Sequence, residues 1–93
     1  MFKHTIGTEN MTIELNPISK NINVLSLPMG DLLFSYKTPV AFYEMNTGNY
    51  YRTSQKWSKT TSRHINQWLA DRHATEKTTE KPQVFFDELT GFI

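Results

Sequence analysis

Apolar and polar residues alternate with a period of two through most of the first half of the chain, and the pattern changes to a helical one after Thr61. Residues 11–15 (M-T-I-E-L), 21–27 (N-I-N-V-L-S-L), 32–36 (L-L-F-S-Y) and 40–45 (V-A-F-Y-E-M) each read as a strand, because successive side chains of a strand point to opposite faces. Asn16-Pro17 ends the first of these, and the Pro28-Met29-Gly30-Asp31 sequence reads as a turn. Pro39 restricts Thr38 to an extended conformation and marks a kink or an edge. Asn46-Thr47-Gly48-Asn49 is a hairpin signal, since Gly48 takes positive φ without penalty and Asn tolerates it. Residues 50–54 (Y-Y-R-T-S) supply the return strand.

Ser58, Thr60 and Thr61 then offer hydroxyl oxygens for the free N–H groups at a helix start. Ile65, Trp68, Leu69 and Arg72 recur at i, i+3, i+4 and i+7 from there, drawing one stripe, with Arg63, Asn66, Gln67 and Asp71 facing water. The helix is expected to close near His73-Ala74. The fold class that follows is α+β: a small antiparallel sheet of three to five strands with one main helix packed across it. Residues 1–10 are expected to be a flexible N-terminus, residues 11–74 the domain, and residues 75–82 (T-E-K-T-T-E-K-P) a polar linker. Residues 83–93 are apolar for a tail. Phe85, Phe86, Leu89, Phe92 and Ile93 there either dock on the core or form a linear motif for a partner's groove.

Composition removes several function classes. The 93 residues include no cysteine, which excludes a disulfide framework, a thiolate metal site and a cysteine nucleophile. His4, His64 and His73 are too dispersed for a local metal box, and the glycines form no phosphate-cradling loop. No hydroxyl residue sits in a nucleophile elbow. His64, four residues from Trp68, reads as a packed or capping side chain. An enzyme is not expected, and neither is a cofactor or a metal. No apolar run is long enough to span a membrane and no leader pattern opens the chain, so a cytoplasmic protein is expected.

Net charge is only +1, but its distribution is uneven. Residues 37–72 carry a net excess of four positive charges, while the last 21 residues carry a net −2. Within the basic middle, aromatic and cationic side chains interleave, a composition suited to stacking bases and neutralising phosphates. Tyr43, Tyr50, Arg52, Lys56, Trp57, Lys59 and Arg63 are the candidate binding residues there, with Phe85 and Phe86 added from the tail.

The run S-Y-K-T-P-V-A, a Gly-containing turn, Y-Y-R-T, and then W-S-K-T-T-S-R-H-I-N-Q-W-L resembles a small uncharacterised domain of phage and mobile-element proteins. The resemblance covers about residues 35–70 and carries no assigned activity or site residue. It implies an origin: a small viral or mobile-element protein acting in a host cytoplasm. The expected function is therefore non-enzymatic protein–protein binding to a host or viral protein, with inhibition of a host defence system as its consequence. The alternative is nucleic-acid binding through Arg52, Lys56, Lys59 and Arg63 on the hairpin–helix face.

Overall fold

Pairing along the chain is almost entirely local, and it builds one sheet in simple sequence order. The computed structural model describes residues 4–8, 11–19 and 21–92, with side chains for 21–91. The strands are β1 (His4–Thr8), β2 (Met11–Ser19), β3 (Ile22–Leu27), β4 (Gly30–Ser35), β5 (Thr38–Glu44), β6 (Asn49–Thr53) and β7 (Thr78–Lys81), and they lie side by side in that order. Every neighbouring pair is antiparallel except β6 and β7, which are parallel. A parallel pair needs a crossover, and helix α1 (Lys59–Asp71) provides it. Helix α2 (Gln83–Leu89) follows β7 directly.

The register explains why two helices are needed. Val24, Leu33 and Ala41 are neighbours across β3, β4 and β5, and with Val40 they pack against Ile65, Trp68, Leu69 and Ala74 on the α1 side. The next row, Leu25, Leu32, Phe42 and Tyr51, points to the opposite face. There it meets Phe85, Phe86 and Leu89 of α2. Leu32 and Leu33 are adjacent and both fully buried, which is possible only when both faces of the strand are covered.

The α+β class and the main helix across a mostly antiparallel sheet are as the pattern predicts. β3 to β7 make five strands, and β1 and β2 extend the sheet to seven. β1 lies within the segment expected to be a flexible N-terminus. β2 runs on through Pro17, where the expected strand stops, and the register shifts between Pro17 and Ser19. A bulge is where a strand tolerates a residue with no N–H. Residues 78–81, inside the expected linker, form β7, whose backbone continues the sheet although Thr79 and Glu80 face solvent. Phe85, Phe86 and Leu89 of the tail pack on the α2 side of the sheet.

Helix α1 starts and stops for visible reasons. Ser58 is extended at the N-cap, and its Oγ accepts a hydrogen bond from the Thr61 N–H at 3.1 Å. At the other end, the His73 N–H donates to Ala70 O and the Ala74 N–H to Leu69 O, a paired closure that brings buried Ala74 back onto buried Leu69. His73 carries it with φ 55°, a left-handed conformation that disfavours any residue with a Cβ. His73→Gly is accordingly expected to raise stability by about 1 kcal/mol, measured as an increased urea midpoint. An unchanged or lower midpoint would contradict the strain.

Candidate functional site

Two exposed cations, Lys59 and Arg63, lie on the outer face of α1. Lys59 and Arg63 are one helical turn apart, and Asn66, Gln67 and Ala70 continue the same face. The β6–α1 loop folds Lys56 and Trp57 over the start of this face, leaving an open groove of about 750 Å³. Ser58 and Ser62 complete its lining, which contains no Asp or Glu. Trp57 is 45% exposed, an unusual position for an indole.

The charge placement opposes what helix stability favours. A helix N-terminus carries partial positive charge and prefers acidic residues in its first turn. α1 has none there and begins instead with Lys59, with Arg63 as a like-charged neighbour at i+4. The fold gains nothing from this arrangement, whereas a polyanion lying in the groove would meet Lys56, Lys59, Arg63 and the helix end together.

The remaining candidates are held elsewhere. Arg52 lies in the row of Ala41, under the helix, and donates from Nη1 to Asn66 Oδ1 at 2.9 Å, while its Nε is buried. It therefore supports Asn66 at the groove wall and is half-buried, where Lys56, Lys59 and Arg63 are exposed. Tyr43 and Tyr50 face each other across β5 and β6 with ring centroids 4.8 Å apart, and Tyr50 meets Trp68 edge-on. Both tyrosines pack against the α1-side core. Phe86 is completely buried on the α2 side, and Phe85 packs against Phe42 and Tyr51. For Phe86 to touch a partner, α2 would have to leave the sheet. Of the nine sequence candidates, Lys56, Trp57, Lys59 and Arg63 come together on one open surface.

Two other polar constellations are structural in their geometry. Ser35 Oγ lies 2.8 Å from His64 Nδ1 and 3.1 Å from Thr61 Oγ1, and this buried serine joins the end of β4 to α1. The Tyr36 ring sits beside His64, 5.8 Å between centroids. Arg72, the last residue of the predicted stripe, pairs with Asp31 at 3.0 Å and lies over the Trp68 ring at 4.6 Å. Among the described residues, no group of three or more His, Asp or Glu side chains is placed to hold a metal ion. No helix among them is long and apolar enough to cross a membrane.

Sequence reasoning passed over three contributors: Ser62, Asn66 and Gln67. Their spacing from Lys59 and Arg63 on the helical wheel already placed them on the same face. It also passed over Gln83, whose position depends on a contact across 26 residues of chain and leaves no local trace. The model of a family described as a family of unknown function, DUF8033, matches residues 4–88. No curated protein and no solved structure matches the chain.

Proposed function

The chain belongs to DUF8033, a family of unknown function, and from the α1 groove we propose that it is a non-enzymatic protein that binds single-stranded nucleic acid. The observation that carries this reading is the exposed Trp57 ring set among Lys56, Lys59 and Arg63, with no acidic residue in the lining. Lys and Arg neutralise phosphates whatever the sequence. An exposed indole adds something a duplex cannot use, because stacking requires a base already out of its pair. Further along the same face Asn66 offers its amide N–H groups, its Oδ1 being taken by Arg52, and Gln67 its carbonyl oxygen, its Nε2 being bonded to Asp71.

Binding of a host or viral protein, with inhibition as its result, draws on the hairpin aromatics and the tail. Tyr43, Tyr50, Phe85 and Phe86 are taken up in packing, so that reading retains Trp57 and the cations alone. The phage or mobile-element origin implied by the sequence resemblance, and action in a host cytoplasm, belong to the same proposal and are compatible with either partner.

The test is an anisotropy titration of short labelled single-stranded and duplex oligonucleotides at low salt. Single strands are expected to bind more tightly than duplex, and Trp57→Ala to weaken them by about 1–3 kcal/mol, the worth of one stacked base. Preference for duplex, or indifference to Trp57→Ala, would overturn the role given to the indole.

A further inference from the structure

We infer that Gln83, at the first turn of α2, positions Trp57 and so couples docking of α2 on one face of the sheet to ligand binding in the groove on the other. The Gln83 side chain is saturated with partners. Its Oε1 accepts from Thr53 Oγ1 at 2.8 Å and from Trp57 Nε1 at 3.1 Å. Its Nε2 donates to the Pro39 carbonyl at 2.7 Å and to Asp87 Oδ1 at 3.0 Å. Two acceptor sites and two donors are all that a primary amide has, so every one is used. Turning the amide over would place a donor against the Trp57 N–H and an oxygen against the Pro39 carbonyl and the Asp87 carboxylate. Its orientation is fixed, and with it the direction in which the Trp57 N–H must point.

The same contacts hold the loop that forms one wall of the groove. Thr53 Oγ1 also accepts the Gln55 N–H at 3.1 Å, and the Ser54 N–H donates to Lys81 O at 2.9 Å. Residues 54–57 are thus tied at both ends to the segment that runs from β7 into α2. On the other side of Gln83, Phe86 anchors α2 in the apolar face with no exposure at all. The chain of contacts from buried Phe86 through Gln83 to the exposed Trp57 passes around the Thr53 end of β6. A partner or modification that displaced α2 would free the indole, and a ligand that needs the indole fixed would favour docked α2 by the same factor.

The ligand half of this inference rests on the groove reading proposed above; the indole half does not, so each can fail separately. The first measurement is hydrogen exchange of the Trp57 indole N–H, followed by NMR on the full chain without ligand. Gln83→Met, which keeps length and volume but has no amide, is expected to speed that exchange about three- to tenfold, the worth of a neutral hydrogen bond. The buried Trp68 resonance serves as the internal check that the fold persists. An unchanged rate in Gln83→Met, with Trp68 unaltered, overturns the positioning role.

The second measurement is a double-mutant cycle for binding of a short oligothymidylate. Trp57→Phe keeps an aromatic face but cannot donate to Gln83. Each single variant is expected to weaken binding about three- to tenfold, and the double variant no more than either one. Additive losses would show that Gln83 and Trp57 act independently, and would overturn the coupling. If the oligothymidylate fails to bind the parent protein while the indole exchange responds as expected, the groove's ligand is wrong and the Gln83–Trp57 contact stands.

Discussion

Gly30→Ala is expected to destabilise the domain severely. A Cβ at this position would lie 1.8 Å from the Tyr43 carbonyl oxygen and 2.9 Å from its carbon, and Gly30 holds φ +155°. Both obstacles are backbone, so no side-chain rotation relieves them. Relief requires β4 to part from β5 where Gly30 faces Glu44, and the fully buried Leu32 follows two residues later. The cost is expected to exceed about 3 kcal/mol, the upper range for overpacking a core. Gly48 makes a matched control, since it has φ +76° but open space around its Cβ position. Gly48→Ala is expected to cost about 1 kcal/mol, the left-handed penalty alone. Urea titrations of the two variants check the ordering, and equal losses would contradict the close approach at Gly30.

Phe86→Ala is the second large effect. Among the described residues Phe86 is the largest fully buried side chain, and it sits among Leu25, Leu27, Leu32 and Phe42. Removing a buried phenylalanine costs about 3–5 kcal/mol, against a total of roughly 5–14 kcal/mol for a domain of this size. The variant is therefore expected to retain native structure at low temperature, with α2 loosened and the apolar face exposed to a dye such as ANS. A loss below about 1 kcal/mol would mean that the tail contributes little to the fold and is free for a partner. This is the experiment that separates the two readings of the tail by energy.

The parts of the fold that the sequence made legible are those whose signal is local. Ile65, Trp68 and Leu69 are buried as their spacing predicts, and Gly48 turns the hairpin with φ 76°. Ser58 caps the helix through its own hydroxyl. What escaped depends on pairing between distant segments. β7 is four polar residues, T-T-E-K, held by its parallel neighbour β6 and by no apolar alternation of its own. The second core was hidden for a related reason. Phe85 and Phe86 look available in a tail, and only the sheet's uncovered face explains where they go. The adjacent pair Leu32-Leu33 did carry that information, since a strand open to water on one side would not bury both.

The candidate site divides in the same way. Lys56, Trp57, Lys59 and Arg63 are close in sequence, so their grouping needed only the loop and first turns of α1. Tyr43 and Tyr50 share the same stretch, but strand alternation turns their faces toward α1. Arg52 points the same way and is held half-buried by its bond to Asn66. Interleaved aromatic and basic residues mark a region, and the pleat decides which of them a ligand can reach.

The measurement that tests the central claim most directly is the salt dependence of single-strand binding, compared between the parent protein and Lys56→Gln/Lys59→Gln/Arg63→Gln. Three phosphate contacts predict a slope of log K against log salt near −2, at roughly 0.7 per contact for a single strand. All three side chains are exposed, so the variant is expected to keep or slightly raise its thermal midpoint while low-salt binding weakens and the slope falls toward zero. Absence of binding by the parent protein at low salt, or an unchanged slope in the variant, would contradict the groove as a nucleic-acid site.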